Sequence, residues 1–108
     1  MRQEYDALGP NAANHVPLSP VSFLKRAALV YRDKPAVTYG PVTRDWGTFA
    51  GRCRLVAAGL QRLGIGHGDT VSVLAPNIPE LYELHYAVPL AGAVLNTINI
   101  RLEPETVA

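Results

Sequence analysis

Residues 70–97 place the strongest constraint on what this chain can fold into. Thr70-Val71-Ser72-Val73-Leu74-Ala75 is a short β-prone run, expected to be mostly buried, and Ala93-Val94-Leu95-Asn96-Thr97 is a second. Between them Leu81, Leu84, His85 and Val88 recur at helical spacing. Strand, helix and strand with short connections make a βαβ unit, with parallel strands and a right-handed crossover. A parallel pair needs cover on both faces. The two strands and the helices before them cannot supply it, so more sheet is expected than these residues contain. The fold class this predicts is α/β: a β-hairpin plus helices leading into a parallel βαβ unit.

The local signals support that order. Ser19-Pro20 combines a hydroxyl cap with a proline at the first helical position, and Val21, Leu24, Ala28 and Tyr31 are then expected to form one buried stripe. Arg32-Asp33-Lys34-Pro35 ends it. Ala36-Val37-Thr38-Tyr39 and Val42-Thr43-Arg44 about Gly40-Pro41 read as a hairpin. Asp45 can cap the next helix, which carries Phe49, Cys53, Val56, Leu60 and Leu63 on one face and meets a left-handed stop at Gly64. Asn77-Ile78-Pro79-Glu80 resembles a capping box, with Asn77 in the cap position. Pro89 sits inside the helix that follows, where its ring displaces the carbonyl of His85. Residues 1–18, with Gly9, Pro10, Asn11, Asn14 and Pro17, are expected to be an extended arm before a folded portion over 19–108. At the other end, Pro104 and Glu105 open a further helix. One turn of helix is not stable alone, so the domain is expected to continue and the chain to be its front end.

Composition narrows the function classes. A hydrophobic content of 48% and a charged content of 18% suit a folded α/β protein. The net charge of +1 leaves no basic footprint, so no nucleic-acid partner is expected. Cys53 is the single cysteine, which excludes an intramolecular disulfide and fits a reducing compartment. Met1-Arg2-Gln3-Glu4-Tyr5-Asp6 lacks the apolar core of a secretory signal. No stretch reaches the roughly 18 apolar residues of a membrane span. These features predict a cytoplasmic protein.

Candidate chemistry is sparse. Gly64-Ile65-Gly66-His67-Gly68-Asp69 looks like a phosphate loop, yet it follows a helix and precedes a strand, the reverse of the order that aims N–H groups at phosphate. It reads as a helix stop and a turn. His85 is either a pocket residue or a packed histidine bonded to a backbone carbonyl, and the second reading is preferred. His15 and His67 add no metal constellation. Cys53 has core spacing, Tyr82 and Tyr86 form a packing stripe, and Asp69, Glu80 and Glu83 suit a turn, a cap and a solvent face. Asn96 and Asn99 flank the carboxyl end of the second strand, where ligands bind in open α/β sheets. No residue is assigned a catalytic, cofactor-binding or metal-ligating role.

The longer strings are more specific than any motif. Ser22-Phe23-Leu24-Lys25-Arg26-Ala27-Ala28, Lys34-Pro35-Ala36-Val37-Thr38-Tyr39-Gly40 and Gly66-His67-Gly68-Asp69-Thr70-Val71-Ser72-Val73-Leu74-Ala75-Pro76-Asn77-Ile78-Pro79-Glu80 stand in order. Glu83-Leu84-His85-Tyr86-Ala87-Val88-Pro89-Leu90-Ala91-Gly92-Ala93-Val94-Leu95-Asn96-Thr97-Ile98-Asn99-Ile100-Arg101-Leu102 completes them. Together they resemble the start of the large domain of an AMP-binding acyl-CoA synthetase of the adenylate-forming superfamily, in the branch of medium- and short-chain acyl- or aryl-CoA ligases. Arg44-Asp45-Trp46 departs from the family's usual Tyr-Thr-Trp but keeps a capping residue. Gly47 and Thr48 replace better helix formers, and Gly40-Pro41 replaces Gly-Asp.

The resemblance implies an ATP-dependent ligase using Mg²⁺ and CoA that converts a carboxylic acid, fatty or aromatic, into an acyl-CoA through an acyl-adenylate. It implies that the Ser/Thr/Gly-rich phosphate loop, the ribose-binding Asp and the mobile C-terminal domain with its catalytic Lys fall outside these residues. The chain alone is therefore expected to be inactive, to bind none of ATP, Mg²⁺ or CoA strongly, and to need the remainder of its own adenylating domain as partner. A non-catalytic α/β module that binds a partner through its open sheet edge, or a degraded gene product, is the competing expectation. The chain on its own is also expected to unfold with weak cooperativity and to expose apolar surface.

Overall fold

A computed structural model describes residues 9–108. Its elements are α1 (Pro20–Val30), β1 (Pro35–Tyr39), β2 (Val42–Asp45), α2 (Trp46–Arg62), β3 (Thr70–Leu74), α3 (Pro79–Leu90), β4 (Val94–Ile98) and the short α4 (Pro104–Val107). Strands β1 and β2 form an antiparallel hairpin. Strands β3 and β4 pair in parallel across α3, with Thr70 opposite Val94 and Leu74 opposite Ile98. The predicted α/β class, hairpin and parallel βαβ unit are all present. The first eight residues of the predicted arm lie outside the described residues; positions 9–18 carry no helix or strand and are exposed.

Two of the three predicted side-chain caps form. Ser19 Oγ accepts from the Val21 N–H at 3.2 Å, and Asp45 Oδ1 accepts from the Thr48 N–H at 2.7 Å. The Thr48 N–H also holds the Asp45 carboxyl below its ordinary range, with a smaller contribution from Arg32. Asn77 does not cap α3. Pro79 occupies the first helical position and holds the residue before it extended, which makes Ile78 the cap residue, without a side-chain bond, and leaves Asn77 one position too early. Leu63 and Tyr31 are further corrections: each follows the last residue of its helix, and they are 78% and 55% exposed, not part of the buried faces. Gly64 does take the left-handed conformation, at φ +81°, that stops the helix. Helix α3 runs one residue past Pro89, and Gly92, at φ +89°, turns the chain into β4.

The core lies between the helices. Leu24 and Ala28 of α1 meet Phe49, Ala50 and Cys53 of α2 and Ala87 of α3. The Phe49 ring is fully buried among Trp46, Tyr82 and Tyr86, at centroid distances of 5.8, 4.7 and 5.6 Å. The Tyr82–Tyr86 stripe is therefore packing, as expected. Strand β3, expected to be mostly buried, instead alternates: Val71 and Val73 are half-buried, while Thr70, Ser72 and Leu74 are exposed. Among the described residues only one face of the pair is covered. No helix of the described residues is long and apolar enough to cross a membrane.

Glu83 departs most from expectation. It does not face solvent; it is 2% exposed, and its Oε1 accepts from Arg44 Nη1 of β2 at 3.1 Å and from Arg52 Nε of α2. Glu80 reaches the same arginines from an exposed position, at 3.5 and 4.0 Å. Removing the buried partner of an ion pair costs far more than removing an exposed one. Glu83→Gln is expected to destabilise the chain by about 2 kcal/mol, read as a lower urea midpoint of the helical circular-dichroism signal. Glu80→Gln should stay within about 0.5 kcal/mol. Equal effects of the two would contradict this account.

Candidate functional site

Parallel strands end on the same side, and in open α/β sheets ligands bind in the crevice beyond their carboxyl ends. Here that crevice has a volume of about 450 Å³. Asn77, after β3, and Asn99 and Arg101, after β4, form its polar rim, while Leu81 and His85 enter from α3. The two strand-to-loop exits are set differently. Pro76 and Pro79 stiffen the first, and in the second Asn99 Oδ1 accepts from the Arg101 N–H at 3.0 Å.

An apolar depression of about 390 Å³ adjoins the crevice. Val37 and Tyr39 of the hairpin, Ile78 just before α3 and Tyr82 within it line the depression, which shares Asn77, Leu81 and His85 with the crevice. Those three residues form a ridge between an apolar and a polar hollow. His85 Nδ1 donates to the Leu81 carbonyl at 2.8 Å, the backbone-bonded arrangement preferred from the sequence. That bond fixes the tautomer and leaves Nε2 as an acceptor.

The site offers amide groups, one guanidinium and one imidazole. It holds no paired carboxylates and no activated nucleophile. Cys53 is fully buried, 3.6 Å from the Glu83 carbonyl oxygen, and burial, reinforced by Glu83, pushes its thiol up to about 11. Burial, then the hydrogen bond with Tyr86, pushes Tyr82 up to about 12. Both groups stay protonated at neutral pH. Among the described residues no group of three His, Cys, Asp or Glu side chains could hold a metal ion.

Of the positions marked from the sequence, Asn99 does stand at the crevice. Asn96 does not: it lies within β4 and donates to Ser72 Oγ across the strand pair at 3.1 Å. Asn77 was missed because it was assigned to a cap. Its signal was Pro79, which selects Ile78 as cap residue and frees the asparagine. Glu83 shares its buried face with Pro79 and Ala87, one helical turn away on either side.

Comparison with known proteins places these features in a family. The family model described as AMP-binding enzyme matches residues 24–108. The chain is 48% identical over 101 residues to a 2-methylpropanoate–CoA ligase of Humulus lupulus, covering 94% of this chain and 18% of that protein. It is 48% identical over 103 residues to a peroxisomal trans-cinnamate:CoA ligase of Petunia hybrida, covering 95% and 18%. Among solved structures, a fatty acyl CoA synthetase of Mycobacterium tuberculosis is similar at a TM-score of 0.76 and 31% identity, over 80% of this chain and 18% of that one. An anthranilate CoA ligase shares the fold at a TM-score of 0.79 and 22% identity, over 85% and 18%.

The buried thiol makes a testable prediction. The folded chain keeps the Cys53 proton to about pH 11 against an ordinary value of 9.0, so the unfolded chain releases it first as pH rises. Stability is expected to fall between those values, and Cys53→Ala to show a shallower fall in urea midpoints. At neutral pH the thiol should react with a disulfide reagent only on unfolding; rapid modification of the folded chain would contradict its burial.

Proposed function

Because this chain belongs to the AMP-binding enzyme family, we propose that it forms the opening part of the large domain of an ATP-dependent acid–CoA ligase. The observation that carries this reading is identity near one half to acid–CoA ligases over almost the whole chain, joined to a fold with the same parallel unit. The chain spans about a fifth of the length of those relatives, so the reaction is proposed for the whole protein. A substrate carboxylate oxygen attacks the α-phosphorus of ATP, forming the acyl–phosphate bond as pyrophosphate leaves. The CoA thiol then gives up its proton to solvent as its sulfur adds at the acyl carbon, AMP departs with the electrons of the acyl–phosphate bond, and a thioester remains. ATP and CoA are the co-substrates. Mg²⁺ would accompany ATP in the whole protein and offset its phosphate charge, and among the described residues no cluster fits that ion.

Within that scheme residues 19–108 are the N-terminal portion of the adenylating domain and residues 1–18 an arm before it. The rest of that domain is the partner that covers the open face of β3 and β4. The residues described here build a wall and supply no transferred proton. The acid is short, branched or aromatic, a range supported by the names of the relatives. A cytoplasmic setting is proposed, or a peroxisomal one in a plant, as in the name of the Petunia relative.

A chimera tests this directly. Residues 1–108 replace the aligned stretch of the Humulus ligase, and acid-dependent pyrophosphate release and thioester formation are measured. Activity within about tenfold of the parent is expected, and none from residues 1–108 alone. A soluble, folded but inactive chimera would overturn the proposal. In the same chimera His85→Ala should leave kcat within about threefold. A loss of about 10²-fold or more would instead mark His85 as a general acid or base.

A further inference from the structure

A third depression, apart from the crevice, lies between α1 and α2 and has a volume of about 340 Å³. Lys25, Ala28, Leu29, Arg32, Gly47 and Arg54 line it: three cations and no carboxylate. Among the described residues none of the three cationic side chains enters a salt bridge, whereas Arg44 and Arg52 are held by Glu80 and Glu83. Asp45 feels Arg32, but it does not line the depression and stands beyond salt-bridge distance from that guanidinium.

Gly47 explains how one cation is seated. It stands in the first turn of α2, where alanine would favour the helix more. A Cβ there would lie 3.0 Å from Arg32 Cγ and 3.5 Å from its Nε, so the glycine lets the Arg32 side chain rest against the start of α2. The Gly47 N–H also donates to the Arg32 carbonyl at 2.9 Å, fixing the backbone beneath that side chain. The position that gives up helix propensity is the one that seats a cation. Guanidinium forks match phosphate oxygens, and a lysine adds a compact charge.

We propose that this depression binds a phosphate-bearing anion, held by Lys25, Arg32 and Arg54. Leu29, 82% exposed in that lining, makes a lipid headgroup one source of that phosphate and a soluble phosphate the other. The inference does not rest on the ligase reading.

The test titrates the 108-residue chain with inorganic pyrophosphate by calorimetry at low ionic strength. Co-sedimentation follows with phosphatidylcholine vesicles, with and without phosphatidic acid. Pyrophosphate binding that weakens with added salt assigns a soluble phosphate. Binding confined to the phosphatidic-acid vesicles assigns the headgroup. In either case Lys25→Gln and Arg54→Gln should each weaken binding about fivefold, the scale of one exposed ion pair. Gly47→Ala should weaken it with helix content undiminished, and Arg62→Gln, at the far end of α2, should leave it unchanged. Binding to neither probe, equal binding to plain phosphatidylcholine, or wild-type binding by the Lys25→Gln/Arg54→Gln double variant would overturn the proposal.

Discussion

Glu83 stands in α3 with almost none of its surface exposed, and a carboxylate there is tolerable only if the surroundings replace the water it has lost. Arg44 of β2 and Arg52 of α2 do so at the same oxygen. The consequence is geometric more than energetic. Buried ion pairs seldom stabilise more than a well-packed apolar group would, but they admit few alternative arrangements. One oxygen shared by two guanidinium groups ties the hairpin and α2 to a single rotation of α3. Helix α3 in turn carries Leu81 and His85 into the crevice at the ends of β3 and β4. The rest of the structure inherits its register from that contact.

Much of this was legible in the residues. Ser19 and Asp45 are followed by helical apolar stripes, Gly64 and Gly92 stop helices, and the β-prone runs near 70 and 94 flank a helix. Each is a local preference that agrees with the final fold, which is why element order could be derived. The failures share another cause. Asn77 fits a capping pattern, but Pro79 moves the helix start by one residue. Glu83 fits a solvent face, but two arginines distant in sequence make burial possible. Such long-range compensation leaves no local mark. Leu63 and β3 mislead through burial: hydrophobic character predicts the face, and neighbouring elements decide whether it is covered.

The site was partly legible for a similar reason. The carboxyl ends of parallel strands are a topological address, so Asn99 could be placed near a crevice before any geometry was known. Asn96 could not be separated from it, because an error of a few residues along a strand moves a side chain from the rim into the ladder. His85 was best read by its immediate neighbourhood: a histidine on a helix can bond the carbonyl one turn back, and it does.

Charge shows most clearly what an average conceals. A net charge of +1 leaves no basic footprint when the chain is taken as a whole. Yet the cations are not evenly spent. Arg44 and Arg52 are drawn inward by Glu83 and Glu80, while Lys25, Arg32 and Arg54 gather between α1 and α2 with no carboxylate lining the hollow they share. The field at a surface depends on where charges lie and what faces them, not on their sum. A nearly neutral chain can therefore hold a local anion-attracting hollow, and the glycine at position 47 is the residue that lets its central arginine fit.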